Sequence, residues 1–171
     1  MAFSNTNKKE TFTFESLPKN LQELQALPEA ALSTPFMTAA LTIAVLARYN
    51  ENQEDALQMY DWINGPADVT PYDKQFIKEH LGGRQYLINS YFEGTSPENG
   101  YTPSNPFTIV IFDNPYSYQE EGRATLWVQS TGADSPRQMS FRLKPSTGQW
   151  FLTQQMLLAG IRTPAAEDPW A

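Results

Sequence analysis

The pattern of hydrophobic and polar positions is most distinctive between residues 35 and 49 (PFMTAALTIAVLARY). From 36 to 47 only Thr38 and Thr42 interrupt an apolar run, so a helix over this stretch has no polar face to turn toward water. Such a helix is stable only when other elements surround it. A membrane span takes about 20 residues, and this run is shorter. The stretch therefore predicts a central, buried helix.

Three amphipathic segments in the first half predict helices around this core. Leucines at positions 17, 21, 24 and 27 have helical spacing, which predicts a helix of about three turns over residues 18–27. A second helix is predicted between 52 and 65 and a third between 70 and 82, because each segment begins at a capping residue and ends at glycine. The third is expected to turn its apolar side chains inward; these are Tyr72, Phe76, Ile77 and Leu81.

The second half changes to the alternation that is typical of strands. Four strands are predicted, at residues 107–112, 124–130, 138–144 and 149–154. The third and fourth are joined by the turn Pro145-Ser146-Thr147-Gly148, so they are expected to form a hairpin. Near the N-terminus, residues 11–14 (TFTF) alternate as well, and either a short strand or an arm lying on the domain fits them.

These elements predict a single α+β domain over residues 1–171. A helical part (11–83) surrounds the central helix and packs on a four-stranded antiparallel β-meander (107–155). Residues 84–106 form a loop-rich connection with three prolines and two glycines between 93 and 106, and residues 156–171 form a tail. A chain of 171 residues is long enough to bury a core without a metal or a disulfide.

Composition and charge exclude several classes of function. The net charge of −7 argues against partners that attract basic surfaces, so neither nucleic acid nor an anionic membrane is expected. The absence of cysteine excludes thiol nucleophiles, thiolate metal sites and disulfides. No apolar segment follows the first lysines, so no secretory signal or membrane anchor is expected, and the cytoplasm is the expected location.

Residues capable of catalysis are few. His80 is the only histidine, and its place in the last turn of a predicted helix favours a structural or surface role. Without Cys or a second His, no metal site is expected. Adjacent carboxylates such as Glu120-Glu121 point in different directions and do not by themselves form an acid and base pair. Gly82-Gly83 follows a helix, whereas a phosphate-binding loop follows a strand. No cofactor is therefore expected.

Aromatic residues on irregular backbone are the strongest candidates for recognition. Tyrosine and tryptophan offer a large contact area and a polar tip, which binding surfaces use. The same residues also serve to pack compact loops onto a domain, and the sequence leaves both interpretations open. The candidate residues lie in or beside loops 93–106, 113–122 and 131–137; they are Tyr101, Tyr116, Tyr118, Trp127 and Arg137.

Two resemblances add to this picture. The final hairpin RQMSFRLKPSTGQWFLTQQ, after a helical half, resembles the α+β cones of nuclear-transport-factor-like and cystatin-like proteins, which implies an apolar pocket between helices and sheet. The stretches SYFEGTSPENGYTPSNPFTI and STGADSPRQMSFRLKPSTGQWFL, with the closing AAEDPWA, resemble a bacterial (Firmicutes-type) domain family of unknown function. The second resemblance implies no particular activity.

The sequence therefore favours a non-enzymatic, cytoplasmic binding or interaction module that uses its aromatic loops to contact a protein or a small molecule. Carboxylate, tyrosine or arginine chemistry leaves no sequence motif, so an alternative stays open. In that alternative the protein is a small-molecule carrier or enzyme with a pocket between helices and sheet. Its lining would be Phe107, Ile109, Trp127 and Trp150.

Overall fold

The computed structural model describes residues 7–171, so the first six residues of the predicted domain lie outside the described part. The helices are α1 (Leu21–Gln25), α2 (Pro35–Leu46), α3 (Gln53–Asn64), α4 (Pro71–Leu81) and α5 (Tyr86–Asn89). The strands are β1 (Lys9–Phe14), β2 (Phe107–Phe112), β3 (Arg123–Val128), β4 (Arg137–Lys144) and β5 (Gln149–Gln155). Short 3₁₀ turns occur at Pro28–Ala31, Pro97–Asn99 and Ala165–Glu167. The α+β class is confirmed.

The sheet is antiparallel and has the strand order β1-β2-β3-β4-β5. Among residues 7–171 it contains five strands, which corrects the prediction of four. The additional strand is β1, which pairs with β2 along its whole length, from Lys9 opposite Phe112 to Phe14 opposite Phe107. The alternating TFTF segment is therefore a strand, because its two phenylalanines face the same side as the buried residues of β2.

Helix α2 is central, as its apolar run predicts. The Thr34 side chain accepts a hydrogen bond from the Met37 N–H at the start of the helix, and every residue of the helix except Met37 is buried. The hydroxyl of Thr38 donates to the carbonyl of Trp150 in β5 at 2.7 Å, whereas that of Thr42 donates to the Thr38 carbonyl at 2.8 Å. One of the two polar residues in the run thus joins the helix to the sheet.

The helices around α2 begin at side-chain caps. Asn52 caps α3, and Thr70 and Asp73 form a reciprocal capping box at the start of α4. The first helix is shorter than predicted. It begins after Asn20, whose side chain accepts from the Glu23 N–H, and ends before the 3₁₀ turn at Pro28–Ala31. Within residues 7–171, no helix has both the length and the apolar character that crossing a membrane requires.

The tail is folded onto the domain. Leu157, Leu158 and Ile161 are buried in the core, and the Arg162 N–H donates to the Gly132 carbonyl at 2.9 Å. The guanidinium of Arg137 donates to the carbonyls of two residues of this segment, at positions 159 and 160. The segment after β5 therefore covers one end of β4.

Candidate functional site

The predicted contact residue Tyr101 is fully buried, with 0% of its surface exposed. Its hydroxyl donates to the Arg162 carbonyl at 2.6 Å, and its ring stacks on Tyr86 with centroids 5.8 Å apart. Its φ of +56° marks a left-handed turn that directs the side chain inward. The expectation that Tyr101 meets a partner is corrected here: this tyrosine packs the 93–106 loop against the tail.

Tyr116 and Tyr118 are exposed, at 67% and 51%, on the loop between β2 and β3. The Tyr118 hydroxyl lies 3.4 Å from a carboxylate oxygen of Asp113. Partial burial, and then the charge and hydrogen bond of Asp113, raise the pKa of Tyr118 to about 12, so its hydroxyl remains protonated at neutral pH. These two side chains are accessible, and neither lines the groove described below.

Trp127 and Arg137 lie in different surroundings. Trp127 alternates with the buried Leu126 and Val128, so its half-buried ring is on the face of the sheet opposite the helices. Arg137 is engaged with the tail and with the carbonyl and hydroxyl of Ser135. The five predicted site residues therefore do not converge on one surface.

The pocket proposed between helices and sheet is not lined as predicted. Ile109 is completely buried in the core, Trp127 faces the other side of the sheet, and Phe107 and Trp150 pack against core side chains. None of the four residues lines the groove that is described next. The interior between α2 and the sheet is occupied by side chains.

A groove of about 710 Å³ lies instead between α3 and α4 on one side and the ends of β4 and β5 on the other. We call it the α4–β5 groove. Its apolar rim includes two side chains that are unusually exposed for their type, Tyr72 at 74% and Met156 at 50%. Tyr72 and Phe76 were expected to face the core with Ile77 and Leu81. The structure buries Ile77 and Leu81, whereas Phe76 is only partly buried and Tyr72 is exposed, and both of these aromatic residues line the groove.

The polar groups that line the groove are mostly uncharged. Tyr60 and Asn64 come from α3, and Gln155 from β5. Burial raises the pKa of the Tyr60 hydroxyl well above its usual range, the Asp73 carboxylate raises it further, and the amides of Asn64 and Gln155 oppose the shift. The hydroxyl is therefore protonated at neutral pH.

The edge strand β5 contributes residues to this groove. The Met156 N–H donates to the Gln138 carbonyl at 3.0 Å. Because main-chain groups alternate in direction along an antiparallel strand, those of Gln155 point away from β4. At the other end of β5, the outward groups of Trp150 are already bonded, to Leu32 and to Thr38. Gln155, which lines the groove, therefore has its N–H and C=O on the outer side of the edge strand.

Sequence reasoning missed this groove for a physical reason. Its walls come from residues 60–77, 136–138 and 153–160, which only the packing of α3 and α4 beside the sheet edge brings together. A signal was present in Tyr72, since it follows Pro71 in the first turn of α4, where side chains often lie beyond the packed part of a helix. Among residues 7–171, no group of three or more His, Cys, Asp or Glu side chains is placed to hold a metal ion.

Comparison with protein families matches residues 16–165 to the domain of unknown function DUF6935. The chain belongs to this family. The resemblance to a domain family of unknown function is thereby confirmed, and the match begins beyond β1. No curated protein and no solved structure matches the chain. A bacterial origin and a likeness to nuclear-transport-factor-like cones stay predictions.

Proposed function

We propose that this DUF6935 protein is a non-enzymatic binding module that holds an extended peptide segment in the α4–β5 groove. The observation that carries the proposal is the main chain of Gln155, which points away from β4 at the edge of the sheet, in a residue that lines the groove. An extended peptide forms hydrogen bonds with such an open strand edge, and neighbouring pockets accept its side chains. Tyr72 and Met156 provide apolar contact area beside this edge.

The polar groups that line the groove match the hydrogen-bonding groups of a peptide main chain, which is uncharged. Side-chain amides from Asn64, Gln138 and Gln154 line it, and each offers both a donor and an acceptor, as a peptide group does. Asp73 and Arg137 carry opposite charges, so the lining favours neither a strongly acidic nor a strongly basic ligand. The net charge of −7 supports a partner other than nucleic acid or an anionic membrane, and a cytoplasmic location is part of the proposal.

A small-molecule carrier or enzyme is the second candidate, in the same groove. Its volume of about 710 Å³ is within the range of small-molecule sites, about 300–1,000 Å³, and the protonated Tyr60 hydroxyl offers a directional donor. The open strand edge favours the peptide, because a small ligand has no need for main-chain pairing.

Selection from a phage library of random linear peptides tests the proposal. Enriched peptides are synthesised, and their affinities for the protein are measured by fluorescence anisotropy. Binding is expected to weaken about tenfold or more in Tyr72→Ala and Met156→Ala, since each removes an exposed apolar contact of the groove. The matched control is Tyr116→Ala/Tyr118→Ala, which removes exposed rings from a different surface and is expected to bind normally.

N-methylated versions of an enriched peptide test the pairing itself. A methyl group on an amide that faces β5 removes a main-chain hydrogen bond, whereas one placed a residue away points outward and is tolerated. We expect affinity to be lost at alternate positions only. The proposal is wrong if no peptide is enriched, or if N-methylation has the same effect at every position. If instead the Tyr116/Tyr118 variant loses binding while the groove variants keep it, the binding site is the tyrosine loop.

A further inference from the structure

Strand β1 forms the opposite edge of the sheet from the α4–β5 groove. It pairs with β2 on one side, and no strand within residues 7–171 pairs with its other side. The strand has the sequence KETFTF, without proline, and its register with β2 is continuous over all six positions. Proteins usually block such an edge with charged side chains, a proline, a bulge or a covering element, because unpaired main-chain groups invite another strand. Strand β1 has the charged residues Lys9 and Glu10 but neither a proline nor a bulge.

The direction of the main chain along β1 follows from one hydrogen bond. The Asp113 N–H donates to the Lys8 carbonyl at 3.0 Å, which places Lys8 in a hydrogen-bonded pair with β2. By alternation the groups of Lys9, Thr11 and Thr13 point away from β2. The side chains of these three residues are also exposed. Within residues 7–171, the edge therefore offers three sets of outward-facing N–H and C=O groups, at alternate positions.

The sequence of this edge is complementary to itself in one antiparallel register. With Thr11 opposite Thr13 of a second copy, Lys9 stands opposite Glu15, the residue that directly follows β1, and both of these are exposed. Phe12, which is partly exposed, then lies opposite its own counterpart on the two-fold axis. Shifting the register to place Thr11 opposite Thr11 pairs Lys9 with Thr13 and leaves Glu15 without an opposite charge. Opposite charges and aromatic pairs across strands stabilise a register.

We propose that two copies of this chain associate along their β1 edges in that register. The contact is isologous, so each substitution acts twice, and the product is a continuous ten-stranded antiparallel sheet. The Lys9 to Glu15 pair forms at both ends of the paired segment, and the Phe12 rings meet at its centre. The α4–β5 groove lies at the far edge of each copy and stays open in the dimer.

Charge reversal provides the test. Sedimentation velocity of the full chain over a range of concentrations is expected to show a reversible monomer to dimer equilibrium. Lys9→Glu and Glu15→Lys each place like charges opposite one another twice, and each is expected to weaken the dimer about tenfold. The double variant Lys9→Glu/Glu15→Lys restores opposite charges and is expected to recover the affinity of the original protein. Lys144→Glu, an exposed reversal away from β1, is the control for net charge.

Three results overturn the inference. The first is a protein that stays monomeric at every concentration. The second is a dimer that both single reversals leave intact. The third is a double variant that stays as weak as the single ones, which would show that Lys9 and Glu15 do not face each other. None of these measurements depends on the groove, so the proposed function stands or falls separately.

Discussion

Gly132 and Tyr101 are in direct contact, and this contact allows a sharp test of how the loops are packed. A Cβ added at Gly132 would collide with the Tyr101 hydroxyl, and it would also lie 3.0 Å from the ring carbon Cζ and 2.9 Å from Cγ2 of Ile161. Gly132 does not have a positive φ, so alanine there meets a steric problem rather than a backbone one. Both neighbours are buried, with little room to move.

The expected magnitudes follow from these contacts. Overpacking of this kind costs about 1–3 kcal/mol, so Gly132→Ala is expected to lower the free energy of unfolding by about 2 kcal/mol. Tyr101→Phe removes the hydrogen bond to the Arg162 carbonyl, which is worth about 1 kcal/mol. The same substitution also removes the Tyr101 hydroxyl oxygen, which is the atom nearest to the methyl group of an alanine at position 132. The double variant is therefore expected to be more stable than the sum of the single effects predicts, by about 1 kcal/mol.

Urea unfolding followed by tryptophan fluorescence measures the four free energies of this double-mutant cycle, at one pH and one protein concentration. Strictly additive effects, or a Gly132→Ala variant as stable as the original protein, would refute the packing of Tyr101 against the 131–137 loop. In that case the tyrosine would be free to serve as the contact residue that the sequence suggests. Normal peptide binding by Tyr101→Phe would support its structural role independently.

Three other measurements examine the core and the surface. Leu41→Ala in the middle of α2 is expected to cost about 2–5 kcal/mol in urea unfolding, because the residue is completely buried; a cost below 1 kcal/mol would contradict the central position of the helix. Thr38→Val leaves the Trp150 carbonyl of β5 without its donor and is expected to lower the free energy of unfolding by about 1–3 kcal/mol. The matched variant Thr42→Val is expected to cost less, because the carbonyl that Thr42 bonds already accepts a hydrogen bond within the helix. Equal costs for the two variants would contradict the role of Thr38 in joining α2 to β5. For Tyr118, the unfolded chain releases the phenolic proton near pH 10 and the folded protein only near 12, so stability is lost as pH rises above 10. Tyr118→Phe is expected to reduce that loss and to leave the pH dependence below about pH 9 unchanged; parallel curves at alkaline pH would show that neither burial nor Asp113 raises the pKa of this hydroxyl.

The fold was predictable where local patterns determine it. The run around Leu41 allows only a surrounded helix, and Thr34 followed by Pro35 indicates where that helix begins. The hairpin of β4 and β5 follows from alternation on both sides of a short turn. These features depend on neighbours in the sequence, so the sequence alone was sufficient.

The rest depends on distant partners. Residues 11–14 form a strand because β2 pairs with them and places a buried face beside Phe12 and Phe14. The sequence around residues 11–14 gives no sign of this distant partner. Tyr101 has the same chemistry as Tyr116, yet one is buried under the tail and the other is exposed. The difference lies in the left-handed backbone at Tyr101 and in the position of residues 161–162, neither of which composition reveals.

The pairing of β1 with β2 also bears on the order in which the chain acquires its structure. Lys8 is joined to Asp113 across 105 positions, so a ribosome must release most of the polypeptide before the first strand meets its neighbour. Closing so long a loop carries an entropic cost that short-range helices avoid. During synthesis, therefore, the N-terminal segment must wait for β2 before it can attach, and this edge of the sheet is completed only after the helices that lie between the two strands have been made.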